Sequence, residues 1–299
     1  MIKIRDLEYL TAIAEYKHFG HAADACFVSQ PTLSGQIQKL EQRLKLTLIE
    51  RQPRNVMLTP AGEKLVQQAM QVLNAANNFE EAAKALLDPL SGDLHIGLIP
   101  TLAPYILPHI MPALNSKLTR INFYLHENRT QDLLQQLETG KLDILILPWL
   151  PEMSRFERYD LFNEPLVMAT SPSHALADKT KVSFDDLHNQ KILTLEDGHC
   201  LRDQAMGYSF SAGAEEDHSF RATSLETLRY MVASNMGITL LPQLATINYA
   251  PQQHIRYIPF DSPQPIREIA LLCRAGYTRM ESVRAIVSEV RQAVNGLFD

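Results

Sequence analysis

The sequence predicts an α-rich helix-turn-helix domain, a long linking helix, and a larger α/β domain behind them. Three observations carry this. Residues 1–58 hold short helical runs parted by a three-residue turn. Residues 65–86 repeat apolar side chains at spacings of four and three without a break. After Gly92, short strand-like apolar runs alternate with helix-like ones, as in α/β folds.

At 299 residues the chain can bury more than one core, and its 45% hydrophobic and 21% charged content is that of an ordinary globular protein. A net charge of −6 argues against a protein that coats nucleic acid, but the charge is uneven. Residues 1–58 carry eight Lys and Arg against six Asp and Glu, leaving this fifth at +2 and the remainder at −8. That sign suits an N-terminal nucleic-acid reader. Met1–Tyr9 is charged and interrupted, unlike a secretory leader, and no apolar run approaches the ~20 residues that span a bilayer. Cys26, Cys200 and Cys273 make no disulfide framework, and no CxxC or His/Cys cluster suggests a metal site. The expectation is a reduced, cytoplasmic protein with no membrane partner, metal or cofactor.

Leu7, Leu10, Ile13 and Ala14 fall at helical spacing and predict a first helix over Leu7–Tyr16. A second fits His21–Cys26, and Phe27-Val28-Ser29 makes a tight turn. Ser29 is a good N-cap and Pro31 is tolerated in a first turn, so a third helix runs from about Gln30 to Leu44. Its Leu33, Ile37, Leu40 and Leu44 form one stripe facing a core. The opposite face holds Gln30, Thr32, Ser34, Gln36 and Gln38, with no acid before Glu41. Amides and hydroxyls can read base edges and bond phosphates. Helix, turn and polar-faced helix is the helix-turn-helix pattern, with a small solvated helix pair as the competing reading. Thr47–Leu58 sets Arg51, Pro53, Arg54 and Asn55 between short apolar runs. It reads as a wing whose two arginines contact DNA backbone, or as an ordinary surface hairpin.

Thr59 as N-cap and Pro60 at the first helical position start a long helix. Leu65, Ala69, Val72, Ala76, Phe79, Ala83 and Leu86 give it a coiled-coil seam, and polar residues elsewhere favour dimerisation over packing on its own domain. Asp88-Pro89-Leu90-Ser91-Gly92 ends it.

Beyond Gly92 the strand-like runs are Leu94–Ile99, Ile121–Leu125, Ile144–Leu147, Leu166–Ala169, Lys191–Leu195, Ile238–Leu241, Ile255–Ile258 and Ile269–Cys273. Helix-like runs are Ala103–Leu118, Gln131–Thr139, Leu225–Ser234 and Arg279–Leu297. Largely parallel sheets are expected, with ligands outside the strand carboxyl ends. Thr101, Thr130 and Cys200 each follow a strand and belong on such an edge. Thr130 also reads as the N-cap of the helix after it, and Thr101 as a strand-end hydroxyl.

Leu195-Glu196-Asp197-Gly198-His199-Cys200-Leu201-Arg202-Asp203 places one thiol after a Gly-His turn and before a helix-like run. Helix N-termini carry unpaired N–H groups and partial positive charge, and His199 and Arg202 can add more. Both favour thiolate, the reactive form of cysteine. Cys26 and Cys273 read as core thiols.

Phe19–Leu44, with Ala22-Ala23, Val28-Ser29-Gln30-Pro31-Thr32-Leu33-Ser34 and Ile37-Gln38-Lys39-Leu40-Glu41, resembles the LysR-type transcriptional regulators. Glu50-Arg51 and Leu58-Thr59-Pro60-Ala61-Gly62 do too, and the likeness spans the whole chain. Leu94 to Thr101, Leu195 to Gly207, and Phe220 to Leu228 look like the peroxide-sensing OxyR branch. The resemblance implies a winged helix-turn-helix over 1–58 and a dimerising linker helix over 59–88. It implies a periplasmic-binding-protein-like regulatory domain, with subdomain I at 89–163 and 268–299 and subdomain II at 164–267. A homotetramer on promoter DNA, acting on RNA polymerase, is also implied.

By the same resemblance Cys200 is the thiol that hydrogen peroxide oxidises. Thr101, Thr130, His199 and Asp203 match the polar shell around peroxide, and Arg267 matches an arginine that stabilises the thiolate. The family's second cysteine, nine residues on, is here Ser209. Serine cannot form a disulfide, so this chain is expected to stay in the reduced, unswitched state. The serine is either a substitution holding that state or a natural variant signalling through sulfenate or a mixed disulfide. Two other functions remain open at this stage. A regulator answering a small organic acid predicts that Cys200→Ser is nearly silent, and a cysteine peroxidase predicts turnover with a reductant.

Overall fold

The computed structural model describes residues 2–52, 55–211, 213, 215–247 and 254–298. It divides into two compact units, residues 1–87 and 88–299. The first unit contains α1 (Ile4–Tyr16), α2 (Phe19–Ala25), α3 (Gln30–Leu44), the strands β1 (Ile49–Gln52) and β2 (Asn55–Leu58), and α4 (Pro60–Leu87). Tyr9, Leu10, Ile13, Ala22, Leu33, Ile37 and Leu40 form its core, so three of the four α3 stripe residues are fully buried. Ser29 caps α3, its Oγ accepting the Thr32 N–H at 3.3 Å. Glu41 fixes the hairpin to α3, because its Oε1 accepts the Leu48 and Ile49 N–H groups at 2.8 and 3.2 Å. Ile49 then pairs antiparallel with Leu58. Thr59 caps α4 through the Gly62 N–H at 3.0 Å. Gly62 has to be glycine, since a Cβ there would meet the Leu48 carbonyl oxygen at 2.1 Å.

The seam expected along α4 is divided. Ala69 and the neighbouring Val66 are buried in the unit's own core, with Leu65 packed against it. Val72 and Phe79 are exposed, Phe79 at 77%. The first turns of the helix therefore belong to the domain they leave, because α1 lies against them and takes up their apolar face.

The second unit has the α/β, periplasmic-binding-protein-like architecture. Its first core is built on β3 (Gly92–Leu98), α5 (Ala103–Lys117), β4 (Ile121–Glu127), α6 (Thr130–Glu138) and β5 (Ile144–Pro148). The chain then crosses on β6 (Glu157–Thr170) to β7 (Lys191–Leu195), α7 (Cys200–Ser211), β8 (Glu215–Ala222), α8 (Leu225–Ala233), β9 (Thr239–Pro242) and β10 (Arg256–Pro259). It returns on β11 (Ile266–Cys273) and ends in α9 (Met280–Val294), which packs on the first core.

The sheet runs β4-β3-β5-β11-β6-β10, with β9 also on β6, while β7 and β8 pair separately. The expectation of largely parallel sheets does not hold. β3 is parallel to β4 and β5, but β11 and β6 are antiparallel to each other, and β11 is antiparallel to β5. The reason is the two crossings: one strand carries the chain out of the first lobe and another brings it back, so they run in opposite senses. β6 is 14 residues long, pairing β11 with its first part and β9 and β10 with its last. Leu166, Val167 and Ala169 of that last part enter a second core with Leu193, Leu195, Leu225 and Leu228.

Candidate functional site

Three strand ends of the second unit converge on Cys200. Thr101 follows β3, Thr130 follows β4, and Cys200 follows β7 as the first residue of α7. The turn before it needs Gly198, whose φ of +92° lies in the left-handed region open to glycine. Although Cys200 belongs in sequence to the second lobe, its side chain packs into the core of the first. The thiol is 5% exposed, and Thr101, Thr130, His199 and Arg267 around it are all buried.

Arg267 lies in β11 and is completely enclosed. Its Nη1 donates to Thr101 Oγ1 at 3.3 Å, and its Nη2 to the Thr101 carbonyl oxygen at 3.2 Å. The remaining contact is one that sequence reasoning missed. Glu164 of β6, also fully buried, takes both Nε and Nη2 on its Oε2, at 2.9 and 2.6 Å. The adjacent Glu268 pairs outward with Arg158. Glu164 also accepts the Leu244 N–H at 3.2 Å. Burial pushes its carboxyl up, while the guanidinium and that N–H pull it back. A charged residue inside an otherwise strand-like stretch, Asn163-Glu164-Pro165-Leu166, was the available signal.

Thr130 is not the cap of α6. It is the first helical residue, and Arg129 occupies the N-cap position. Its buried Oγ1 has no hydrogen-bond partner of good geometry. It lies close enough to the thiol to lower that group's pKa.

The electrostatics differ from the expectation of a resting thiolate. Burial pushes the Cys200 thiol up from its ordinary value. Arg267, Thr130 and the Leu201 N–H at the helix start pull it down, but burial prevails. The expected help from Arg202 and His199 is absent. Arg202 is committed to Glu216 at 2.9 and 3.0 Å and to Asp197 at 3.1 Å. His199 is driven towards its neutral form by burial and by Arg129, against Glu196. Asp203 stands apart from the buried set: it is exposed, 3.6 Å from Arg202, and it raises the thiol's pKa.

Cys273 is buried in β11 and its thiol is pushed up to about 12 by burial. Cys26, at the C-cap of α2, is half-buried and packs against the core of the first unit. Position 209 falls in α7, nine residues after Cys200. At 1.5 Å rise per residue that places the two positions about 13 Å apart along the axis, against less than about 7 Å between the Cα atoms of a disulfide. The side chain of Ser209 lies outside the described residues.

In the first unit, Ser29, Gln30, Pro31, Thr32 and Gln38 are exposed, and Ser34 and Gln36 are half-buried. They share α3 and its cap; Thr32, Ser34 and Gln38 lie off the stripe of Leu33, Ile37 and Leu40, while Gln30 and Gln36 flank it. Arg54 and the side chain of Arg51 lie outside the described residues. Among the described residues no helix is long and apolar enough to cross a membrane.

Comparison with known proteins places both units. Residues 4–63 match the bacterial regulatory helix-turn-helix protein model of the lysR family, and residues 88–295 match the LysR substrate binding domain. The chain is 49% identical to the DNA-binding transcriptional dual regulator OxyR of Escherichia coli (strain K12), over 100% of this chain and 98% of that one. It is 48% identical to a hydrogen peroxide-inducible genes activator of Haemophilus influenzae, over 99% and 100%. Among solved structures, a full-length OxyR variant from Pseudomonas aeruginosa is similar with a TM-score of 0.80 and 34% identity, covering 97% of this chain and 95% of that one.

Proposed function

The chain belongs to the LysR family and to its OxyR branch, and from that premise we propose that it is a peroxide-responsive DNA-binding transcriptional regulator whose sensor is Cys200. The observation that carries this reading is the buried thiol at the start of α7, with buried Thr130 and Arg267 both drawing its pKa down.

Hydrogen peroxide entering there would place one oxygen on the sulfur and the other among hydrogen-bond donors. The sulfur attacks, an S–O bond forms and the O–O bond breaks. The departing hydroxide takes up the thiol's proton, leaving a sulfenic acid and one water. Thr130, and Arg267 steadied by Thr101 and Glu164, stabilise charge as it develops. Neutral His199 serves as a hydrogen-bonding wall, not a cation. Asp203 belongs to the rim of the site.

With Ser209 in place of a second thiol, the reaction stops at sulfenic acid within one chain. Before peroxide the chain rests in the reduced form, and with no thiol at position 209 it cannot go on from the sulfenic acid to the intramolecular disulfide. DNA is read by Ser29, Gln30, Pro31, Thr32, Ser34, Gln36 and Gln38 on α3, with Arg51 and Arg54 of the wing on the phosphates. The exposed Val72 and Phe79 of α4 dimerise the chain. The assembly is a homotetramer that contacts RNA polymerase in the cytoplasm. The domain limits are 1–58, 59–88, 89–163 with 268–299, and 164–267.

The test is to trap Cys200 with dimedone after stoichiometric peroxide, and to follow promoter binding in the parent, Cys200→Ser and Ser209→Cys proteins. Cys200 should carry one dimedone adduct, and the restored cysteine should give an intramolecular disulfide with altered DNA binding. An unmodified Cys200 would overturn the reading. So would a Cys200→Ser protein whose DNA binding still answers peroxide.

A further inference from the structure

Two imidazoles away from the thiol meet on the rim of the sheet. His95 lies in β3 and His126 in the edge strand β4. The parallel register sets His95 opposite Tyr124 and His126 opposite Gly97, so the two histidines are diagonal neighbours on one face. His95 Nδ1 and His126 Nε2 are 2.9 Å apart. Both residues are half-buried.

The pair is held in place. The Tyr124 ring stacks on His95 with centroids 4.8 Å apart and planes at 15°. The backbone N–H of His95 donates to Asp143 Oδ2 at 2.8 Å and the Tyr277 hydroxyl to Asp143 Oδ1 at 3.0 Å, fixing the strand that carries His95. Two imidazole nitrogens aimed at one point can share a proton, or they can share a metal ion. In the proton-sharing state one nitrogen donates and the other accepts. To bind a metal, the donor ring moves its proton to its other nitrogen, and both facing nitrogens offer lone pairs. Tetrahedral Zn2+ with Zn–N of about 2.0–2.1 Å requires the nitrogens to open to about 3.4 Å, a shift of about half an ångström, whereas cis positions on square-planar or octahedral Ni2+ lie about 2.9 Å apart, the separation already present.

We infer that His95 Nδ1 and His126 Nε2 form a two-nitrogen site for a late divalent transition ion such as Ni2+ or Zn2+, with water completing the coordination. Imidazole is a good ligand for these ions and a poor one for Mg2+ or Ca2+. Among the described residues no group of three His, Cys, Asp or Glu gathers round one point, so protein ligation stops at two. An ion so held ties the edge strand β4 to β3, adding to the ladder a crosslink independent of backbone hydrogen bonds.

His18 and His21 provide the internal control. Their rings are 4.5 Å apart, but His18 Nδ1 already accepts the Gly20 and His21 N–H groups. The experiment is equilibrium dialysis of the full chain against Ni2+, with the His95→Gln, His126→Gln and His21→Gln variants, and anomalous diffraction at the nickel edge. Parent and His21→Gln should bind one ion with equal affinity, with the anomalous peak between His95 and His126. His95→Gln and His126→Gln should each bind at least about tenfold more weakly. Equal affinity in all four proteins, a peak elsewhere, or no binding by the parent would overturn the site. Circular dichroism of each metal-free variant separates a lost ligand from a lost fold.

Discussion

Replacing Thr130 with valine should slow the reaction with peroxide while leaving the protein as stable as before, or more so. Valine keeps the shape of threonine and exchanges its hydroxyl for a methyl group. In stability the change removes a buried Oγ1 that has no partner of good geometry. Relief of such a group is worth on the order of 1 kcal/mol. α6 loses nothing, since Arg129 and not Thr130 stands at its cap. In reactivity the change removes a group that pulls the thiol's pKa down and can donate to the departing oxygen. Loss of one such donor typically costs about 100-fold or more in rate, near 2.7 kcal/mol of barrier. The two effects have opposite signs, which separates a positioning hydroxyl from a structural one. The assay is a time course of Cys200 sulfenic acid trapped by dimedone and read by mass spectrometry, beside thermal unfolding of the same protein. If Thr130→Val oxidised at the parent rate, the hydroxyl would have no part in the chemistry. A melting point lowered by several degrees would mean that it makes a native hydrogen bond.

Further outcomes follow from the same geometry. Glu164→Gln leaves the buried Arg267 without its counter-charge and should destabilise the chain by about 3–5 kcal/mol, with Arg267→Met in the same chain restoring part of the loss; additive effects in urea titrations would contradict a direct pair. Because burial raises the Cys200 thiol, its oxidation rate should climb about tenfold per pH unit between 7 and 9 without levelling near 7; a plateau there would point to a preformed thiolate. Stability has two edges from this site. The raised thiol contributes fully below its ordinary value of 9.0 and loses that contribution as pH rises towards the folded value. His199, lowered from 6.5, contributes above 6.5 and loses its share as pH falls through its folded value, so His199→Gln should flatten the acid side alone. Arg202 ties α7 to Glu216 of β8, so adding Arg202→Ala to Ser209→Cys should speed disulfide formation about tenfold if release of the helix limits it, by about 1.4 kcal/mol; an unchanged rate would place the barrier elsewhere.

Local chemistry was legible wherever one residue type has one strong use. Ser29 before Gln30-Pro31 and Thr59 before Pro60 were readable as helix starts, and both cap as expected. The thiol at the start of α7 was readable for the same reason. Relations between distant segments were not. β8, Glu-Glu-Asp-His-Ser-Phe-Arg-Ala, has no apolar run, and among the described residues it pairs with β7 in a two-stranded sheet. The first half of β6 was hidden by its polar residues, and Glu164 with it. Its partner Arg267 lies 103 residues away, and no local pattern connects the two. Burial itself misled the reading of charge. His199 and Arg202 are neighbours of Cys200 in sequence, yet one is kept neutral and the other is drawn to Glu216.

On the proposed reading, oxidation of Cys200 would be felt in both lobes because of where the thiol sits. Cys200 begins a helix of the second lobe but packs into the core of the first. Thr101 and Thr130 come from the first lobe, while Arg267 and Glu164 sit on the two strands that cross between the lobes. Adding an oxygen to the sulfur enlarges and polarises a group in a close-packed site, where even a methylene-sized change is felt. The first lobe cannot give way easily, since β3, β5 and β11 are interior strands, each paired on both sides. α7 is held by buried Leu201, Ala205 and Met206, by Tyr208, whose hydroxyl donates to the Ile266 carbonyl oxygen at 3.1 Å, and by the ion pairs of Arg202 with Asp197 and Glu216. Movement of α7 after oxidation would have to break these contacts together, and the Arg202 ion pairs are the part of them that a single exposed-side substitution can remove.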